Sequence, residues 1–123
     1  MKYGTLIAAL LVFPLSACGD KPAATATETP AAAMSKIDIT SPADGARLDA
    51  RAQNKLDYNV TLGGDADHIH VYMDGDRVAM LREMKGSYPL EYMAQGKREI
   101  CIKVTNRNHT PMGVERCITA MVE

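Results

Sequence analysis

The chain has 123 residues, about one domain's worth of polypeptide, which excludes a multidomain enzyme. Its 14 Lys and Arg stand against 15 Asp and Glu, a formal charge of -1. That leaves no basic footprint for a phosphate backbone, so nucleic acid is not an expected partner. There is no Trp, and the single Phe, Phe13, falls in a segment read below as removed, so the working domain has four tyrosines and an aliphatic core.

The chain opens with Lys2, an apolar run from Leu6 to Phe13, then Pro14 and Leu15-Ser16-Ala17-Cys18, the three regions of a secretory signal. The run is too short to span a bilayer stably, and it lacks the polar face that a buried helix carrying Cys18 as a small apolar residue would need. Leu15-Ser16-Ala17-Cys18 resembles the lipobox of bacterial lipoproteins. The resemblance implies a signal peptide over 1–17, cleavage before Cys18, and acylation of that cysteine. Several acyl chains, each contributing ~0.8 kcal/mol per buried CH₂, would anchor the protein to the membrane without spanning it. Gly19 stands where Asp would signal inner-membrane retention, so the resemblance implies the outer membrane in preference to the inner, with the domain facing the periplasm.

From Gly19 to Ser35 the chain is rich in Ala, Thr and Pro and cannot bury enough apolar surface to fold. With lipidated Cys18 it forms an expected tether over 18–35, with a reach of roughly 20–25 Å.

From Lys36 to the end, short runs of period-two alternation are broken by turn signals, the pattern of an all-β sandwich or barrel. Ile37-Asp38-Ile39-Thr40 alternates before Ser41-Pro42-Ala43-Asp44-Gly45. Leu56, Tyr58, Val60 and Leu62 form one buried face and end at Gly63-Gly64-Asp65. His68 to Met73 places Ile69, Val71 and Met73 on one face and His68, His70 and Tyr72 on the other, wet one. Asp74-Gly75 then predicts a two-residue type I′ hairpin. That turn pairs Met73 with Asp76, Tyr72 with Arg77, Val71 with Val78, His70 with Ala79 and Ile69 with Met80. A short helix over Ala79 to Lys85, ending at Gly86, is the alternative for the second half. Tyr88, Leu90 and Tyr92 suggest a strand before the Gln95-Gly96 turn. Ile100 to Thr105 and Cys117 to Val122 complete a count of seven.

The opening Ile37 to Gly45 resembles the start of bacterial immunoglobulin-like domains. Asp67-His68-x-His70 leading into Asp74-Gly75, Gly96 before the Ile100 strand, and Asn106-x-x-His109 are similar to small periplasmic domains of that class. The resemblance implies a single immunoglobulin-like antiparallel β-sandwich over 36–123 and brings no activity with it.

Setting Cys18 aside leaves Cys101 and Cys117, on opposite arms of the last hairpin in an exported protein, where disulfides persist. A structural bridge is expected, and the Cys-x-x-Cys spacing of a redox pair is absent. Pairing them places Arg116 opposite Ile102 on the apolar face, which suggests a bulge or slipped register nearby.

His68 and His70, two apart on a strand, leave one face together. In an immunoglobulin-like sandwich the loop before the third strand and the loop between the sixth and seventh lie at the same end, which brings His109 toward them with Asp65, Asp67 and Met112. Two readings follow. The histidines are polar residues of a solvated strand face, or His68, His70, His109 and Met112 form a metal site, for copper first and zinc second. No nucleophile elbow, phosphate-binding glycine loop or converging carboxylate pair appears, so the expectation is a non-catalytic binding module, with small-molecule turnover not expected. The competing expectation is a structural lipoprotein that binds another envelope protein and no metal.

Overall fold

The structure, a computed structural model, describes residues 34–123. The expected signal peptide, lipidated Cys18 and most of the tether lie outside the described residues. Eight strands form: β1 (Lys36–Ser41), β2 (Ala46–Leu48), β3 (Asn54–Thr61), β4 (Ala66–Met73), β5 (Asp76–Leu81), β6 (Lys85–Leu90), β7 (Gly96–Asn106) and β8 (Pro111–Val122), with no helix among the described residues. They make a β-sandwich of a three-stranded sheet, β1-β3-β6, and a five-stranded sheet, β2-β8-β7-β4-β5.

Alternation decides which side chains fill the space between the sheets. Leu56, Tyr58 and Val60 of β3 meet Ile69 and Val71 of β4, Ile100, Ile102 and Val104 of β7, and Ile118 and Val122 of β8. Burying a residue of this kind contributes roughly 1.5–3 kcal/mol, so this aliphatic layer is the main driving force for closing the sandwich. Tyr58 is the one aromatic side chain among the buried hydrophobic residues, as the composition required.

One strand beyond the expected seven is β2, three residues long and thus too short to show a period. It lies parallel to β8, pairing Ala46 with Ala120 and Leu48 with Val122. The preceding turn holds it there. Gly45, at φ +82°, donates its N–H to the Thr119 carbonyl at 2.7 Å, while Asp44 Oδ1 accepts from the Thr119 N–H and hydroxyl at 2.8 and 3.1 Å.

The Asp74-Gly75 turn forms with both residues at positive φ, +50° and +89°, as a type I′ turn demands. Met73 faces Asp76 and Tyr72 faces Arg77 as expected, but the register then slips by one. Val71 pairs with Ala79, His70 with Met80 and Ile69 with Leu81, so three of the five expected pairs are corrected. Val78 is the extra residue, and as a bulge it stays exposed to solvent. The helical alternative after Ala79 does not form. Instead the chain leaves β5 and crosses to the other sheet, where the Met84 carbonyl accepts the Val60 N–H at 2.6 Å. Tyr92 is not a strand residue. It sits beyond β6 at φ +56° and is 97% exposed.

Cys101 and Cys117 are direct cross-strand partners joined by a disulfide, with α-carbons 4.1 Å apart. Ile102 does face Arg116, and the expected irregularity lies close by, where the β7–β8 register shifts between Lys103 and Thr105 on the way to the loop. Because β2 covers only Ala120 to Val122 of the ladder, Arg116 lies on an open stretch of edge and extends into water.

Candidate metal centre

Three histidines from two distant stretches of chain converge on the outer face of the five-stranded sheet. His68 and His70 project from β4, and His109 comes from the loop between β7 and β8. His68 Nε2 lies 3.0 Å from His70 Nε2 and 3.0 Å from His109 Nδ1, and His109 Nδ1 lies 3.3 Å from His70 Nε2. The expectation that the His109 loop and the start of the His68 strand share one end of the sandwich therefore holds.

The solvated-face reading of His68 and His70 does not. They are 0% and 1% exposed, although they point away from the interlayer core. The reason is the His109 ring, which stacks on His70 at 17° with centroids 5.5 Å apart and meets His68 edge-on at 4.7 Å. Alternation identifies the face of a strand but says nothing of a loop that folds back over it.

Local backbone irregularities build this convergence. Asn106 organises the loop: its N–H donates to the Thr110 carbonyl and its side-chain oxygen accepts from the N–H groups of Asn108 and Thr110, all at 3.0 Å. The His109 N–H returns to the Asn106 carbonyl at 3.0 Å, and His109 adopts φ +63°. A left-handed backbone at a non-glycine residue costs about 1–3 kcal/mol and persists where the surroundings enforce it, commonly at functional sites. A second irregularity lies in the β4–β7 ladder, where Ala66 pairs with Asn106 and His68 with Thr105, leaving Asp67 as a bulge.

The Asp67 bulge lets two successive side chains meet. Asp67 Oδ2 accepts a hydrogen bond from His68 Nδ1 at 2.9 Å. The carboxylate in turn accepts from Arg82 at 2.9 Å and lies 3.7 Å from Arg107. The His68 hydrogen bond, reinforced by Arg82, holds the Asp67 carboxyl below its usual range. A proton fixed on His68 Nδ1 leaves the Nε2 lone pair pointing at His70 and His109, which is the carboxylate–histidine arrangement that orients metal ligands. Burial lowers the His70 pKa, and the nearby His68, Arg77 and His109 act in the same direction, so its ring is held in the neutral form a ligand requires.

The fit to an ion follows from these separations. With metal–nitrogen bonds of ~2.0–2.1 Å, nitrogens 3.0–3.3 Å apart subtend roughly 90–110° at a common ion. That geometry is a three-nitrogen cap with its other side open, compatible with tetrahedral coordination and too acute for a flat trigonal site. The three rings are thus able to hold a metal ion.

Among the other residues expected near the site, Asp67 orients His68, Asp65 is exposed and outside the histidine group, and Met112 lies where β8 departs from regular pairing and is 37% exposed. Glu99, Cys101 and Cys117 also cluster, but both sulfurs are committed to the disulfide. Sequence reasoning passed over Met80, which pairs with His70 and, with Arg77, Val78, Ala79 and His109, lines a cavity of about 520 Å³.

No family model and no curated protein matches the chain. Among solved structures it is similar to the fibronectin(III)-like modules of Clostridium thermocellum CbhA, with a TM-score of 0.58 and 14% identity over 72% of this chain and 96% of that one. It is also similar to an engineered protein, with a TM-score of 0.52 and 20% identity over 75% of this chain, which spans about a fifth of that protein's length. A Jonesia denitrificans lytic polysaccharide monooxygenase aligns with a TM-score of 0.48 and 13% identity, over 70% of this chain and 63% of that one. In fold, the chain is an immunoglobulin-like β-sandwich, similar to fibronectin(III)-like modules.

Proposed function

We propose that this protein is a lipid-anchored module of the bacterial cell envelope, facing the periplasm from the outer membrane, that binds a copper or zinc ion without transforming it. The anchor rests on the likeness of Leu15-Ser16-Ala17-Cys18 to a lipobox. The metal reading rests on one observation above all: three imidazole nitrogens from β4 and the His109 loop lie within 3.0–3.3 Å of one another, two of them on fully buried rings. Three mutually facing nitrogens cannot all be satisfied by the protons available between neutral rings, whereas one cation satisfies all three. Imidazole suits copper, zinc and nickel, and the Irving–Williams order favours Cu(II) over Zn(II) at equal access.

Calorimetric titration of the chain with Cu(II), Cu(I) and Zn(II) tests this reading, with His68→Ala and His109→Ala as comparisons. Binding at micromolar metal that both substitutions abolish supports it. An absence of heat, or heat that neither substitution changes, leaves the alternative of a structural or partner-binding lipoprotein. That second reading draws on Val78 and Met80, 42% and 48% exposed on edge strand β5.

A further inference from the structure

We propose that Met80 supplies a thioether as the fourth ligand of the histidine site and thereby makes it selective for Cu(I). This rests on the metal reading above and goes beyond it by naming the residue that sets the ion and its oxidation state. The register of β4 and β5 points to Met80. A regular two-residue hairpin would put Ala79, which has no donor atom, opposite His70. The Val78 bulge shifts the ladder by one residue, so that Met80 becomes the direct partner of His70 on the sheet face that carries the histidines. Bulges that re-aim a side chain beside a site are a recurrent use of this irregularity.

Directly opposed residues have β-carbons about 4.5–5.5 Å apart, and a methionine has three rotatable bonds with which to cover that distance. Met80 and His109 line the same cavity, which places Met80 beside the third imidazole as well as opposite His70. The 48% exposure of Met80 agrees with a ligand that stands at the mouth and closes over a bound ion. Met112, the other thioether near this pole, does not line the cavity.

The chemistry then discriminates between ions. Zinc accepts a water at a fourth position and gains little from a thioether, while a soft sulfur favours Cu(I). The test is Met80→Leu, a change close to isosteric that keeps the strand intact, with Met112→Leu as the control. Cu(I) affinity is measured by competition with a chromophoric chelator under ascorbate, Zn(II) affinity by calorimetry, and the first shell of the Cu(I) form by X-ray absorption. The expected result is a loss of Cu(I) affinity of at least about tenfold in Met80→Leu, the minimum typical even of losing an outer-shell partner. Zn(II) affinity should stay within about threefold, and the sulfur scatterer present in the wild type and in Met112→Leu should vanish. Equal Cu(I) affinity in Met80→Leu, with a nitrogen-only shell in the wild type, overturns the role of Met80 and leaves the imidazole site standing. A chain that binds neither ion overturns both.

Discussion

Asp67 and His68 are consecutive residues of a strand, yet their side chains form a hydrogen bond of 2.9 Å on one face of the sheet. Strand geometry sends neighbours to opposite faces, so the contact exists only because Asp67 is bulged out of the β4–β7 ladder. The carboxylate fixes the tautomer of His68, and removing it leaves the ring free to turn its lone pair away. Asp67→Asn is expected to lower metal affinity about 10–100-fold while the fold survives, which calorimetry and circular dichroism together would show.

Metal binding should depend on pH through the imidazoles. Each ligating ring must be neutral, and a free imidazole has a pKa of ~6.5, so affinity should fall as the pH drops from about 7 to 5. His70, held neutral by burial, contributes later in this fall than an exposed ring would. Thermal unfolding gives the measurement. With free metal at 100 times Kd, the stabilisation should be ~2.7 kcal/mol, shrinking as the solution is acidified. A metal-dependent shift that does not change over this range would point to carboxylate ligands.

The Cys101–Cys117 bridge closes a loop with a sequence separation of 16. Replacing both cysteines by serine should lower stability by ~3 kcal/mol, read as a reduced urea midpoint with an intact native fold. Because the bridge lies on the outer face and the aliphatic core is untouched, the domain should still fold at 25 °C.

Asp74 carries an acid-sensitive share of stability. Its Oδ1 accepts the Glu99 N–H and its Oδ2 accepts from Arg98, each at 2.9 Å, and these bonds, the backbone one foremost, hold its carboxyl below 3.8. A carboxyl whose pKa is lowered on folding stabilises the protein above its unfolded value and loses that contribution as pH falls through the folded one. Asp74→Asn tolerates the same left-handed turn, so it should be less stable than the wild type at neutral pH, with the gap narrowing between about pH 4 and 2. A gap that stays constant in denaturant titrations across that window would exclude the ion pair and carboxylate bonds as its source.

Much of this architecture is written in the period of the strands. Alternation at Leu56 to Val60 and Ile100 to Val104 marks the core face, Asp74-Gly75 marks the hairpin, and the facing of Cys101 and Cys117 follows from their places in the last hairpin. The meeting of His68 and His109 follows from topology alone. What escaped were single-residue insertions: Asp67 and Val78 each interrupt a ladder without disturbing the composition or the turn signals around them. Those two insertions convert an ordinary strand face into a candidate site, one by orienting His68 and the other by bringing Met80 opposite His70. A bulge is decided by pairing with a partner strand, and that partner is not visible in a local window of sequence. The burial of His68 and His70 was hidden for a related reason, since the ring that covers them arrives from about forty positions downstream.

Ser35, just ahead of the first strand, exchanges hydrogen bonds with Gly63 in the turn that leads into Asp67 and His68. The polypeptide therefore enters the domain at the imidazole pole, not the opposite one. A leash attached upstream would pull on that same end, holding the domain with its histidine cluster near the attachment surface and its far loops outward. Ions arriving along that surface would reach the rings by a shorter route than ions from the bulk, and the length of the leash, more than the domain itself, would set how wide the intervening gap can open.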